Sequence, residues 1–134
     1  MELTTKQFRR LLDLAYIGNW VLNSPREDDR ITEYDDVITL LFNAAKDRGL
    51  TALFEEREGL VLPSRAFVDG GIHEAIMDYE DAVFFEILAE ELARRDLMLE
   101  GAQGDDLEDL NARIRGYIEE FETNGTDNLT VING

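Results

Sequence analysis

The chain has 134 residues, of which 44% are hydrophobic and 32% are charged, and it contains no cysteine. The absence of cysteine excludes disulfides, thiolate metal sites and cysteine nucleophiles, and a chain of this size and hydrophobicity can bury a core without them. Its formal net charge of −17 opposes binding to nucleic acid or anionic membranes. With no signal-like or membrane-spanning segment in the sequence, we expect a cytoplasmic protein.

Two amphipathic helices are predicted in the first third of the chain. The first covers residues 5–22 and has a threonine as its N-cap. The second covers residues 33–48, where apolar side chains recur at helical spacing. Thr32 is expected to cap the second helix in a capping-box-like start, and Gly49 is expected to close it in the left-handed conformation.

The segment of residues 50–68 is open to two interpretations. Its apolar stretches flank the polar run of residues 55–59, which is typical of two short strands joined by a turn. However, apolar and polar residues alternate poorly, and Pro63 restricts a second strand to an edge. We therefore expect either a small β-hairpin near residues 53–62 or an ordered loop.

Helical patterns resume after a break that is predicted at residues 69–71. They cover residues 72–79 and 81–95, as one kinked helix or as two helices with a tight corner, and then residues 107–122. The side chains expected to face inward are Ile72, Ala75, Ile76 and Tyr79 in the first pattern, Val83, Phe84, Ile87, Leu88 and Leu92 in the second, and Leu107, Leu110, Ile114, Tyr117, Ile118 and Phe121 in the third.

Together these elements predict a mainly α protein, a compact bundle of four or five helices with one small hairpin. Residues 1–134 are expected to form a single helical domain, because no internal repeat or second domain is evident. At the end of the chain, residues 126–134 are expected either to fray or to add a short strand through Leu129 and Val131.

The sequence lacks the common catalytic signatures. It has no glycine-rich phosphate loop, no GxGxxG dinucleotide motif and no GxSxG nucleophile elbow. Its single histidine, His73, excludes any site with two imidazoles, and Met77 stands where an HExxH zinc motif needs its second histidine. We therefore assign no catalytic residue and no cofactor.

An acidic cluster around the histidine offers a metal-binding alternative. If the segment is helical, Glu74 and Asp78 lie on one face beside His73. Carboxylates with one imidazole can hold a divalent cation or act as an acid–base pair. We favour a solvated surface instead, because carboxylates are abundant throughout the chain and these lie opposite the apolar face of their segment.

Two groups of aromatic residues belong either to the core or to a binding surface. Tyr16 and Trp20 are four residues apart on a helix, where aromatic pairs can anchor a partner, but we expect Trp20 to fill the core. The adjacent Phe84 and Phe85 cannot share one helix face. One of them must therefore point away from the main stripe, towards the hairpin, a second subunit or a partner.

These features predict a small acidic, non-enzymatic protein that serves in protein interaction or regulation. We expect a protein partner, with a basic one suiting the charge, and a homodimer, but no direct binding to nucleic acid or membrane. Two further possibilities stay open. One is a carboxylate-based metal-binding protein or enzyme that uses the region around His73, and the second is a DNA-mimic inhibitor of a basic protein.

Overall fold

The computed structural model describes residues 1–101 and 106–132. In this part of the chain it shows four long helices, two short helical turns and one two-stranded hairpin, which confirms the mainly α fold. In chain order the elements are α1 (Thr5–Asn23), α2 (Thr32–Asp47), β1 (Phe54–Arg57), β2 (Leu60–Pro63), the single turn α3 (Arg65–Phe67), α4 (His73–Leu99) and α5 (Leu107–Asn124). Contacts divide the chain into two compact units, residues 1–76 and 77–134, and each is described by itself.

The helices α1 and α2 begin differently: α1 has a side-chain cap and α2 has none. At the start of α1 the Gln7 amide donates to Thr4 Oγ1 over 3.1 Å, and the Thr4 amide donates to Gln7 Oε1 over 2.9 Å, a reciprocal capping box. The predicted cap of α2 is wrong, because Thr32 is the first helical residue and Ile31 precedes it without a side-chain cap. Gly49 follows α2 with a φ of 73°, the left-handed conformation that was predicted.

A buried amide joins the end of α1 to the residue before α2. Asn23 is 1% exposed; its Nδ2 donates to the Ile31 carbonyl over 3.1 Å, and its Oδ1 accepts from the Ile31 amide over 2.8 Å. The same Nδ2 donates to Asn19 Oδ1 over 2.6 Å. A single side chain thus closes the loop between the two helices and satisfies both backbone groups of Ile31.

The network continues from Asn19 to a carboxylate in the first turn of α2. Asn19 Nδ2 donates to Asp35 Oδ1 over 3.1 Å. Arg30 donates to both oxygens of Asp35, from Nε over 2.6 Å and from Nη2 over 2.8 Å. The hydrogen bonds from Arg30, followed by the one from Asn19, hold the pKa of Asp35 below its ordinary value.

The lowered pKa of Asp35 predicts a pH-dependent contribution to stability. A carboxyl whose pKa is lower in the folded chain stabilises the fold above its unfolded-state pKa of about 3.9, and this contribution is lost as the pH falls through the folded-state pKa. Asp35→Asn should therefore lower the free energy of unfolding at neutral pH, and the gap from wild type should narrow below about pH 4. Urea unfolding followed by the fluorescence of Trp20, the single tryptophan, measures both.

Asp36→Asn is the matched control for this measurement. Asp36 is exposed, and its side chain makes no hydrogen bond or ion pair with any residue that the structure describes. Its substitution removes the same charge from the same helical turn, so it should change stability little at either pH. A gap between Asp35→Asn and wild type that stays constant from neutral pH to about pH 3 would contradict the assignment.

The core of residues 1–76 combines α1, α2, the hairpin and the segment that leads into α4. Phe42 and Leu12 are completely buried, and the Phe42 ring meets Phe67 edge to face with ring centroids 5.2 Å apart. The guanidinium carbon of Arg48 lies 4.4 Å from the ring centroid of Phe8. The buried cluster consists of Phe8, Leu12, Phe42, Ala45, Leu53, Val61, Phe67 and Ile72.

The ambiguous segment forms the hairpin and not the loop. β1 pairs antiparallel with β2, and Glu56 stands opposite Val61. Glu58 and Gly59 have φ values of 54° and 79°, which is the backbone of the tight turn that matches the twist of two strands. The alternation of apolar and polar residues indicated the second strand poorly, because Leu60 and Leu62 are apolar although they are exposed.

A capped turn and a glycine break lead from the hairpin into α4. Ser64 Oγ accepts from the Phe67 amide over 2.9 Å and donates to the Ala52 carbonyl over 2.7 Å. Gly71 has a φ of 110° and breaks the wide helical turn Val68–Ile72, where the break was predicted. From there α4 continues as one helix of 27 residues, because residues 73–99 contain neither glycine nor proline.

In residues 77–134, α4 and α5 share a small core. The Phe85 ring of α4 lies 5.3 Å from the Phe121 ring of α5, measured between centroids. The sequence predicts Asp105 or Asp106 as the N-cap of the last helix. The Asp109 amide donates to Asp106 Oδ1, which confirms Asp106 as the cap, and Asp105 lies outside the described residues. The buried cluster consists of Ala93, Leu97 and Leu110, and Ile114 and Tyr117 border it.

Several side chains that were expected to face inward are exposed. The helical period correctly located α4 and α5, but it did not identify which apolar side of α4 is covered. The prediction is wrong for Ala75, Tyr79, Phe84, Ile87 and Leu107. Phe85, the neighbour of Phe84, is the one that packs on α5.

The chain turns after α5 and forms no strand in the residues described there. The Gly125 amide donates to the Phe121 carbonyl where the helix ends, and a turn follows in which the Leu129 amide donates to the Thr126 carbonyl. No residue of 126–132 pairs as a strand, and Val131 is exposed. The predicted strand is therefore wrong for these residues, while residues 133–134 of the predicted tail lie outside the described part.

Candidate functional site

The histidine singled out in the sequence lies in an aromatic cluster. His73 Nε2 is 2.7 Å from the Tyr16 hydroxyl oxygen, and the imidazole meets Trp20 edge to face with ring centroids 4.7 Å apart. Tyr16 and Trp20 stack on one face of α1 at the spacing of one helical turn. Burial raises the pKa of Tyr16. Trp20 is 37% exposed, so the prediction that it fills the core is wrong.

This cluster does not assemble the metal site considered from the sequence. Glu74 and Asp78 are exposed, whereas His73 is partly buried and shares a hydrogen bond with Tyr16 through Nε2. Across residues 1–101 and 106–132, no three His, Asp or Glu side chains lie where they could hold a cation. Among the same residues no carboxylate hydrogen-bonds to His73, so the pair lacks the orienting group of a nucleophile–base–acid arrangement.

One candidate surface of residues 77–134 is an apolar stripe along α4. We call four of its residues the α4 stripe: Met77, Phe84, Ile87 and Met98. They lie within an arc of about 80° around the helix axis and span about 30 Å along it. Their exposed fractions are 55%, 50%, 59% and 79%. The buried residues Ala89, Ala93 and Leu97 lie on the opposite side of the helix. The helix is therefore apolar on two sides, and only one is covered.

The charges beside the α4 stripe have one sign over most of its length. Every charged residue from Glu74 to Glu91 is aspartate or glutamate. The first basic residues of α4 are Arg94 and Arg95, and each forms an ion pair with a carboxylate of the same helix. Apart from Glu90, which pairs with Arg94, the carboxylates from Glu74 to Glu91 form no ion pair with any described residue.

Sequence reasoning found one member of this surface and missed the others. It placed Phe84 either in the core or against a partner, but it assigned Ile87 to the core and gave no role to Met98. Phe84 follows Met77 by seven residues, and Ile87 follows Phe84 by three. This spacing places the three side chains on one side of a helix, so it could have indicated a second apolar face. The pattern could not say which of the two faces α5 covers.

Two further findings concern the chain as a whole. None of the helices in the described residues combines the length and the apolar character needed to cross a membrane. Comparison with family models, with curated proteins and with solved structures finds no match to this chain.

Proposed function

We propose that this chain is a non-enzymatic interaction or regulatory protein that binds a basic protein segment through the α4 stripe. The observation that carries the proposal is an uncovered apolar face with only carboxylates beside it over most of its length. Large exposed apolar side chains in a row are typical of interaction sites, and aromatic residues such as Phe84 often supply most of the binding energy. The stripe suits an amphipathic helix that lays its apolar side chains along it.

The charge of the stripe favours a basic partner over a second copy of the chain. A partner with lysine or arginine beside its apolar residues would meet the carboxylates of α4 with opposite charge. A homodimer through the same stripe, which the sequence led us to expect, would bring carboxylates such as Glu80 and Asp81 towards their own copies. Salt should therefore weaken the proposed complex and strengthen a homodimer.

A metal-dependent activity and DNA mimicry both find less support in the described residues. A metal-dependent activity around His73 would need ligands that the geometry does not bring together. A DNA-mimic inhibitor would bind a basic protein through carboxylates alone, whereas the α4 stripe offers apolar anchors as well. Substitution of an apolar stripe residue therefore separates the proposed function from DNA mimicry.

The proposal predicts that the double variant Phe84→Gln, Ile87→Gln loses its partner. Removing two exposed anchors should weaken binding by at least about tenfold, because truncated interface anchors commonly cost this much. Stability should change little, since both side chains are exposed. The measurement is a quantitative pull-down from source-organism lysate, with salt-step elution and with the double variant and the wild type as parallel baits.

Leu40→Gln is the control bait, because Leu40 on α2 is 69% exposed and lies outside the α4 stripe. The proposal expects a basic protein that is retained by wild type and Leu40→Gln, is lost from the double variant and elutes with moderate salt. If no retained protein distinguishes the double variant from Leu40→Gln, the proposal is wrong. Sedimentation of the same proteins would reveal the homodimer as a salt-strengthened species that the double variant lacks.

A further inference from the structure

A cleft of about 380 Å³ lies within residues 1–76, beside the N-terminal half of α1. It is formed between α1, the residues before β1 and the glycine break before α4. Its lining includes three polar residues of α1 and the two glycines of the break: Arg9, Arg10, Asp13, Gly70 and Gly71. A volume of this size falls in the range of small-molecule sites.

The basic side chains of this cleft are unusual in so acidic a chain. Arg9 forms no ion pair or hydrogen bond through its side chain with any residue that the structure describes, and Arg10 pairs only with Asp13, over 3.1 Å at an exposed position. Most other arginines of the described residues pair with carboxylates. Two arginines therefore line the cleft, and the Arg9 side chain has no counter-charge among the described residues.

The rest of the lining fixes the kind of ligand that the cleft could hold. Leu53, Phe67 and Ile72 are buried residues whose surfaces form an apolar wall. At Gly70 and Gly71 a side chain would meet nothing within 4 Å, so the space beside these glycines is open. An arginine fork recognises carboxylate and phosphate groups, and the apolar wall suits a hydrocarbon or aromatic body.

We propose that this cleft binds a small organic anion, whose carboxylate or phosphate group is held by Arg9 and Arg10 and whose apolar body lies against Leu53 and Phe67. The cleft shares no residue with the α4 stripe, and it does not depend on the proposed function. The net charge of −17 opposes anions at long range, but physiological salt screens charges beyond about 8 Å. Groups inside the cleft, including the competing carboxylate of Asp13, then decide the affinity.

The test is a calorimetric titration of the full chain at physiological ionic strength with four probes. Phenyl phosphate and benzoate carry both an anionic group and an aromatic body, and they distinguish phosphate from carboxylate. Inorganic phosphate carries only the anionic group, and benzyl alcohol carries the aromatic body without an anionic group. We expect at least one of the first two to bind, and inorganic phosphate and benzyl alcohol to bind at least about tenfold more weakly.

Variants of the cleft residues test whether the probe binds in the cleft. Arg9→Gln should weaken the better probe by about tenfold or more, whereas Arg115→Gln, at an exposed arginine of α5, should not change it. Asp13→Asn should strengthen binding because it frees Arg10, and Asp36→Asn, which removes the same charge elsewhere, should not. Unchanged urea midpoints would show that the variants fold.

Either of two results would overturn the proposal. One is the absence of saturable binding of phenyl phosphate and benzoate up to about 10 mM. The other is binding that Arg9→Gln leaves unchanged, because the anion would then lie outside the cleft. Equal binding of inorganic phosphate and phenyl phosphate would show that the apolar wall does not contribute to binding. It would also contradict the proposed ligand class, an anion with an apolar body.

Discussion

Phe42→Ala is expected to lower the free energy of unfolding by about 3–5 kcal/mol. Phe42 is completely buried in α2 and meets the Phe67 ring edge to face at 5.2 Å, so truncation removes both its transfer free energy and its packing against an aromatic neighbour. Urea unfolding monitored by Trp20 fluorescence is suitable because Trp20 lies in the same unit of residues 1–76.

Two further variants keep this prediction testable if Phe42→Ala does not fold. Phe42→Leu retains most of the side-chain volume and should cost about 1–2 kcal/mol. Leu40→Ala, two residues away and 69% exposed, should change stability by less than about 0.5 kcal/mol. If the cost of Phe42→Leu were no larger than that of Leu40→Ala, Phe42 would not be part of a packed core.

Asn23→Ala is expected to cost about 2–4 kcal/mol, although it removes no apolar surface. The Asn23 side chain is the partner of both the amide and the carbonyl of Ile31, over 2.8 and 3.1 Å, in a position that is 1% exposed. Without it the Ile31 amide loses its hydrogen bond, and the Ile31 carbonyl keeps only the 3.3 Å bond from the Tyr34 amide. The same urea experiment measures the loss.

Asn23→Asp separates the donor from the acceptor role of this side chain. Aspartate still accepts from the Ile31 amide, but its second oxygen faces the Ile31 carbonyl and Asn19 Oδ1, which are both acceptors. Its cost should therefore be largest at neutral pH and smaller in acid, where the carboxyl can donate. Asn19→Ala, one turn earlier and less buried, should cost only about 1 kcal/mol. A larger effect at Asn19 than at Asn23 would contradict the assigned network.

Much of the secondary structure could be predicted because its signals are local. The 3.6-residue apolar period located all four long helices, and Gly49 and the break at Gly71 marked positions where only glycine adopts the backbone readily. The hairpin was recognisable from its polar turn, Glu58 and Gly59, more than from its strands. The start of α2 was not predictable, because the residue before it is Ile31, whose amide is bound by Asn23 of the previous helix, and α2 has no side-chain cap.

The candidate surfaces were less accessible to sequence reasoning. His73 was grouped with Glu74 and Asp78 because these are its neighbours in sequence, whereas in the fold its partner is Tyr16, which lies 57 residues away. The cleft beside Arg9 depends equally on distant segments, since its other side comes from Phe67 and the glycine break. No spacing rule connects residues that only chain folding brings together.

By itself the sequence determined the composition-dependent properties and the local elements: a strongly acidic chain without thiol chemistry, its helices and its tight turn. These depend on charge, on residue type and on periods of a few residues. Only the tertiary structure decided which apolar side of α4 is covered and which basic side chains lack a counter-charge. A helix that is apolar on two sides gives the same period whichever side its neighbour covers, so burial is settled by packing between segments that are far apart in the chain.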